Sequence, residues 1–155
     1  MKCKGVVNIE FILSVVVFLT ATVFISITVI NVIPSIESES ARNNMKMRAY
    51  QISNILLFDS GYPEDWNSGN AERIGLSGGM YEIDKSKVAS LQEICKSDYE
   101  NLSSLFGSDL NIEITADGNS ILSCKSPHAA RRFFELKRYS TVEKKVAEIS
   151  VVVIE

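Results

Sequence analysis

Residues 6–36 read VVNIEFILSVVVFLTATVFISITVINVIPSI, and from residue 11 to residue 36 there is no Asp, Glu, Lys or Arg. As a helix this charge-free run reaches roughly 39 Å, against a hydrocarbon core of about 30 Å. Leu, Ile, Val and Phe dominate it. Ser14, Thr20, Thr22, Ser26 and Thr28 carry hydroxyls that can bond back to the preceding helical turn, so they do not oppose lipid. The stretch predicts a membrane span. Lys2 and Lys4 precede it and Glu37 and Glu39 follow it, so the positive-inside rule places the N-terminus in the cytoplasm and the chain from about residue 37 outside the cell membrane.

A secretory signal peptide is the rival reading. It needs a shorter apolar run followed by small residues at a cut site, whereas this run is long and ends in Asn31-Val32-Ile33-Pro34. Glu10 is the unusual residue. It stands at the start of the apolar run, where a carboxylate calls for a counter-charge.

Lys4-Gly5-Val6-Val7-Asn8-Ile9-Glu10-Phe11, leading directly into the apolar helix, resembles the class III signal of type IV pilin-like proteins, in particular those of archaea. The resemblance implies a cut by a prepilin peptidase between Gly5 and Val6, which makes residues 1–5 a leader. It also implies assembly with other pilin-like subunits through the N-terminal helix, with Glu10 and Phe11 at its start and Glu10 meeting the new ammonium of Val6. The chain departs from the usual archaeal pattern at Val6 and Asn8, where Gln and Ser are customary. A second block, Gly61-Tyr62-Pro63-Glu64-Asp65-Trp66, resembles a Gly-Tyr-Pro-Glu-Asn-Trp-like segment of archaeal pilin-like membrane proteins. Arg73-Ile74-Gly75-Leu76 and Asp98-Tyr99 match further blocks of that group. An uncleaved single-span anchor is the alternative.

The span leaves one small domain's worth of the 155 residues. Setting aside Lys2, Lys4 and Glu10, the rest holds 14 basic and 18 acidic residues, a net charge of −4. That sign argues against a nucleic-acid binder. Cys3 falls in the leader. Cys95 and Cys124 lie on the outer side, where they form one disulfide or stay as two buried thiols; spacing does not choose. Asn101-Leu102-Ser103 is the single N-glycosylation sequon, with Asn101 the candidate acceptor.

Beyond Pro34, the apolar residues Ile36, Met45, Ala49, Ile52 and Leu56 recur at helical spacing, so the helix resumes to about Phe58, and its stripe of Met45, Ala49, Ile52 and Leu56 is expected to pack on a head domain. The organisation read from this is a leader at 1–5, a transmembrane helix at 6–36, its amphipathic continuation at 37–58 and an extracytoplasmic head at 59–155. Within the head, Gly61, Pro63 and Gly69 mark a loop, and Trp66 in it is expected to be core. Val88, Leu91 and Ile94 share one helical face after a start near residues 84–86. Ser97-Asp98-Tyr99-Glu100 reads as a capping box for a second short helix that Gly107 stops. Leu110, Ile112 and Ile114 alternate with polar residues, and Asp117-Gly118 signals a hairpin. A simple two-residue turn sets Ile114 opposite Ile121 and puts Cys124 on the face opposite Ile112 and Ile114; a one-residue slip reverses that. Residues 132–141 and 145–154 form a second pair. The expected fold is α+β: a long N-terminal helix packed on a pilin-like head with short helices and an antiparallel sheet of about four strands.

Residues for chemistry are scarce. His128 is the single histidine, and residues 75–79 lack the Lys and the flanking strand of a phosphate loop. Glu64 and Asp65 are either part of a cation site or solvated. Residues 125–145 carry seven basic and two acidic residues, a strip that meets an anionic partner or simply faces solvent. No catalytic residue, metal site or cofactor is expected, and no enzyme. Three readings remain: a structural subunit, minor or accessory, of a pilus-like filament or pseudopilus; an anchored surface receptor whose head holds a ligand; and a hydrolase ectodomain, for which the sequence offers no recognisable catalytic set.

Overall fold

The computed structural model describes residues 9–155, excepting the side chains of residues 34–37. Helix α1 (Ile9–Phe58) is 50 residues long. By contact the chain divides into two units, Met1–Ala41 and Arg42–Glu155, and α1 contributes to both. In the first unit the apolar side chains stand exposed, Phe11, Phe18 and Phe24 among them. Every hydroxyl named above is satisfied within the helix: Ser14 donates to Phe11 O, Thr20 to Val17 O, Thr22 to Leu19 O, Ser26 to Thr22 O and Thr28 to Phe24 O. Bonded in this way, these hydroxyls need no water. The length and apolar composition of α1 suffice to cross a membrane.

The second unit is α+β. The last turns of α1 bury Met45, Ala49, Ile52 and Leu56, the stripe expected from spacing. Six strands follow in one sheet, interrupted by helices α2 (Lys85–Ser97) and α3 (Tyr99–Phe106). The strands are β1 (Ser77–Gly79), β2 (Glu82–Ile83), β3 (Asp109–Ala116), β4 (Asn119–Cys124), β5 (Phe133–Val142) and β6 (Lys145–Ile154), in spatial order β1-β2-β5-β6-β3-β4. The expectation of about four antiparallel strands is therefore corrected. The two hairpins predicted at β3–β4 and β5–β6 are present and join through β3 and β6, but β1 and β2 extend the sheet and β2 runs parallel to β5. At three and two residues, β1 and β2 are too short to show a period-two pattern, and the Gly78-Gly79 pair reads as a loop.

One face of the sheet is apolar. Leu110, Ile112 and Ile114 of β3, Leu122 and Cys124 of β4, and Ala147, Ile149, Val151 and Val153 of β6 are all buried. They share one core with the α1 stripe, with Val88, Leu91 and Ile94 of α2 and with Leu102 of α3. The other face is polar, with Lys137 Nζ 2.8 Å from Glu148 Oε1 and Tyr139 donating to Glu148.

The β3–β4 hairpin corrects a second expectation. Asp117 and Gly118 both have positive φ, 51° and 77°, as a tight type I′ turn requires. The ladder begins Ala116↔Asn119 and Thr115↔Ser120, then jumps to Ile114↔Leu122 and Ile112↔Cys124. Ile121 is the extra residue of a β-bulge. The bulge shifts the rest of β4 by one, so Cys124 lies on the same buried face as Ile112 and Ile114, not the opposite one.

Helix ends are set locally. Asp84 caps α2, accepting from Ser86 N at 2.8 Å and Ser86 Oγ at 2.6 Å. Asp98, rather than Ser97, caps α3, accepting from Asn101 N at 3.1 Å. Ser97 is used as the last residue of α2, donating to Glu93 O. Gly107 ends α3 with φ 66°, as expected. The Tyr99 hydroxyl donates to Leu110 O at 2.9 Å and accepts from Leu110 N at 3.0 Å, tying α3 to β3; burial holds this phenol above its ordinary pKa.

Candidate functional site

The residues singled out in the sequence fall in separate places. Gly5 and Val6 lie outside the described residues. Glu10 is in the first turn of α1 and exposed, where the positive end of the helix dipole favours a carboxylate. Phe11 beside it is 67% exposed. Asn101 is an exposed residue within α3. Cys95 on α2 and Cys124 on β4 are bonded, with Cα atoms 5.7 Å apart. One turn earlier on α2, Gln92 presents its side-chain amide to the β4 edge: Ser123 N donates to Gln92 Oε1 at 2.9 Å, and Gln92 Nε2 donates to Ser123 O at 3.3 Å. A side chain thus occupies the outward backbone groups that a neighbouring strand would use.

His128 is half-exposed, with Nδ1 2.9 Å from Asp109 Oδ2 and Nε2 3.8 Å from Glu100 Oε1. It links the β4–β5 connection to β3 and α3, and no nucleophilic side chain bonds to its ring among the described residues. Among the described residues no three His, Cys, Asp or Glu side chains group to hold a metal ion.

The blocks around Trp66 and Gly75 do come together. Trp66 is buried, and its Nε1 donates to Ser60 O at 3.1 Å and Gly75 O at 2.9 Å. Tyr62 N donates to Arg73 O at 2.9 Å, and Glu72 N returns to Tyr62 O at 3.0 Å. The Tyr62-Pro63 peptide is cis. Two glycines permit this closeness. A Cβ on Gly61 would lie 2.4 Å from the Trp66 indole, and one on Gly75 would lie 2.2 Å from Asp59 O. No side chain larger than hydrogen fits either place, which is a physical reason for glycine in both blocks.

Beside this loop lies a cavity of about 620 Å³, walled by the end of α1, the loop at residues 64–66, β1 and the start of α2. Lys87, which the sequence reading did not single out, is buried there with 8% of its surface exposed. Its ammonium donates to Ser60 O at 2.7 Å and Ser77 O at 3.2 Å. A lysine one residue from the apolar Val88 gives no sequence signal of burial, because its acceptors are carbonyls brought from other elements. Asp84 also lines the cavity; the Ser86 hydroxyl, before any other cause, holds its carboxyl below the ordinary value. Glu64 and Asp65 stand exposed at the wall. Phe58 lines it as well, packed edge-on to Tyr81 with centroids 5.5 Å apart and with Arg138 Cζ 5.8 Å from its centroid.

A smaller cavity of about 380 Å³ lies between α2 and the two hairpin turns. Its charged rim is internally paired, Lys85 with Glu143 at 3.1 Å and Lys145 with Asp117 at 2.8 Å.

Comparison of the chain with protein-family models, with curated proteins and with solved structures gives no match.

Proposed function

We propose that the protein is a membrane-anchored, pilin-like structural subunit of a surface filament or pseudopilus of the archaeal type IV kind. It is cut by a prepilin peptidase between Gly5 and Val6 and assembled through its N-terminal helix. The observation that carries the reading is α1: a single 50-residue helix whose first unit exposes apolar side chains and bonds its own hydroxyls, and whose last turns, within the second unit, are built into the core. An exposed apolar helix needs lipid or other helices around it. The class III-like residues before it supply the processing site. In this reading Glu10 meets the Val6 ammonium that the cut creates, its own or a neighbour's, and Phe11 packs beside it.

Intact-mass measurement of membrane-purified protein is expected to show loss of residues 1–5. Glu10→Ala is expected to be inserted and processed normally yet to yield few or no filaments by electron microscopy. A mature chain that still begins at Met1 overturns the subunit reading and leaves a single-span surface binding protein, which the cavity beside Trp66 favours as the second reading. Filaments unaltered by Glu10→Ala remove the proposed pairing with Val6.

A further inference from the structure

We propose that the cavity beside Trp66 binds a neutral saccharide through its hydroxyl groups. The proposal does not depend on N-terminal processing, because every group it uses lies in the second unit.

The fold uses some of the polar groups in the cavity and leaves others over. Lys87 carries three N–H donors. Two are taken by Ser60 O and Ser77 O, and the third has no protein acceptor among the described residues. Asp84 is committed to Ser86 as the cap of α2. Glu64 and Asp65 have no hydrogen-bond or ion-pair partner among the described residues. The free functionality is therefore one donor on a buried side chain, the Ser60 hydroxyl and two carboxylates at the wall.

A ligand for this set must accept from Lys87 and donate to carboxylates, and a hydroxyl does both. Phosphate or a lone carboxylate meets three acidic side chains against one ammonium and is repelled. An organic ammonium offers Lys87 nothing to bond. The three carboxylates do not close on a bare metal ion, since among the described residues no three His, Cys, Asp or Glu side chains group to hold one. The volume falls within the range of small-molecule sites. Phe58, 49% exposed, adds an apolar wall for the C–H face of a sugar ring. Hydroxyls donating to carboxylates form the stronger, charge-assisted kind of bond.

Trp66, the single tryptophan of the chain, is a built-in reporter. The test is titration of its fluorescence in the full-length protein, solubilised in a detergent without a sugar headgroup. The probes are glucose, galactose, mannose and N-acetylglucosamine, with L-serine, L-lysine and inorganic phosphate as comparisons. The expected result is a saturable change with at least one sugar and none with the other three compounds. Glu64→Gln/Asp65→Asn, at exposed positions, is expected to weaken the sugar about tenfold, the loss of charge-assisted bonds, with circular dichroism unchanged. The proposal is overturned if no sugar gives a saturable change, if serine, lysine or phosphate binds instead, or if Glu64→Gln/Asp65→Asn leaves the affinity for the sugar unchanged.

Discussion

Asp84 carries two roles at once. Its carboxylate caps α2 and lies in the wall of the larger cavity. The Ser86 hydroxyl lowers its pKa, so the ionised cap contributes stability above the unfolded carboxylate range and loses it as pH falls through the folded value. Asp84→Ala is expected to destabilise the head by about 1 kcal/mol at neutral pH, as for other lost N-caps. Its deficit relative to the parent chain should shrink as the pH is lowered below about 4. Urea unfolding at several pH values checks both statements. A deficit that is constant with pH would assign the loss to packing rather than to the charge.

At the scale of elements, α2 is fastened to β4 twice. The Cys95–Cys124 bond closes a loop of 29 residues in sequence, and Gln92 satisfies both outward backbone groups of Ser123. The bulge at Ile121 makes the first of these contacts possible, since without it Cys124 would face away from the helices. Cys95→Ser/Cys124→Ser is expected to lower stability by about 3 kcal/mol, mainly through the freed unfolded chain. Unfolding midpoints with and without reductant measure it: the parent chain should fall to the level of the variant when reduced, and the variant should not respond. The second hairpin shows what local signals miss. Glu143 and Lys144 both adopt positive φ, 50° and 64°, without the Asn or Gly that normally announces such a turn. The long β5–β6 ladder, with ten residues in each strand, imposes the geometry.

For the whole molecule, the two units differ in what they bury. Among the described residues the buried core lies within residues 42–155, whereas the described apolar side chains of α1 before residue 34 are exposed. A chain restricted to residues 42–155 is therefore expected to be water-soluble and to unfold cooperatively, while the full chain partitions into detergent or membrane. Cosedimentation with vesicles and a thermal melt of the shorter chain test this. Vesicle binding by residues 42–155 would place membrane affinity in the head instead of the helix.

By itself the sequence determined whatever depends on neighbours along the chain. The apolar run is read from length and lack of charge; the stripe of Met45, Ala49, Ile52 and Leu56, the face of Val88, Leu91 and Ile94, and the alternation in β3 and β6 are periodicities, and each is buried as its period requires. The Asp117-Gly118 turn and the Gly107 stop are equally local. Tertiary structure alone decided what depends on partners distant in the chain. A bulge fixed the face of Cys124, strands of two and three residues joined the sheet through β5, and Lys87 was buried against carbonyls from residues 60 and 77. Short-range pattern cannot encode these, because each arises only when backbone groups from separate elements converge on one point. The cavity beside Trp66 belongs to this second class: its motif residues were visible, but the buried ammonium that makes it a candidate site was not.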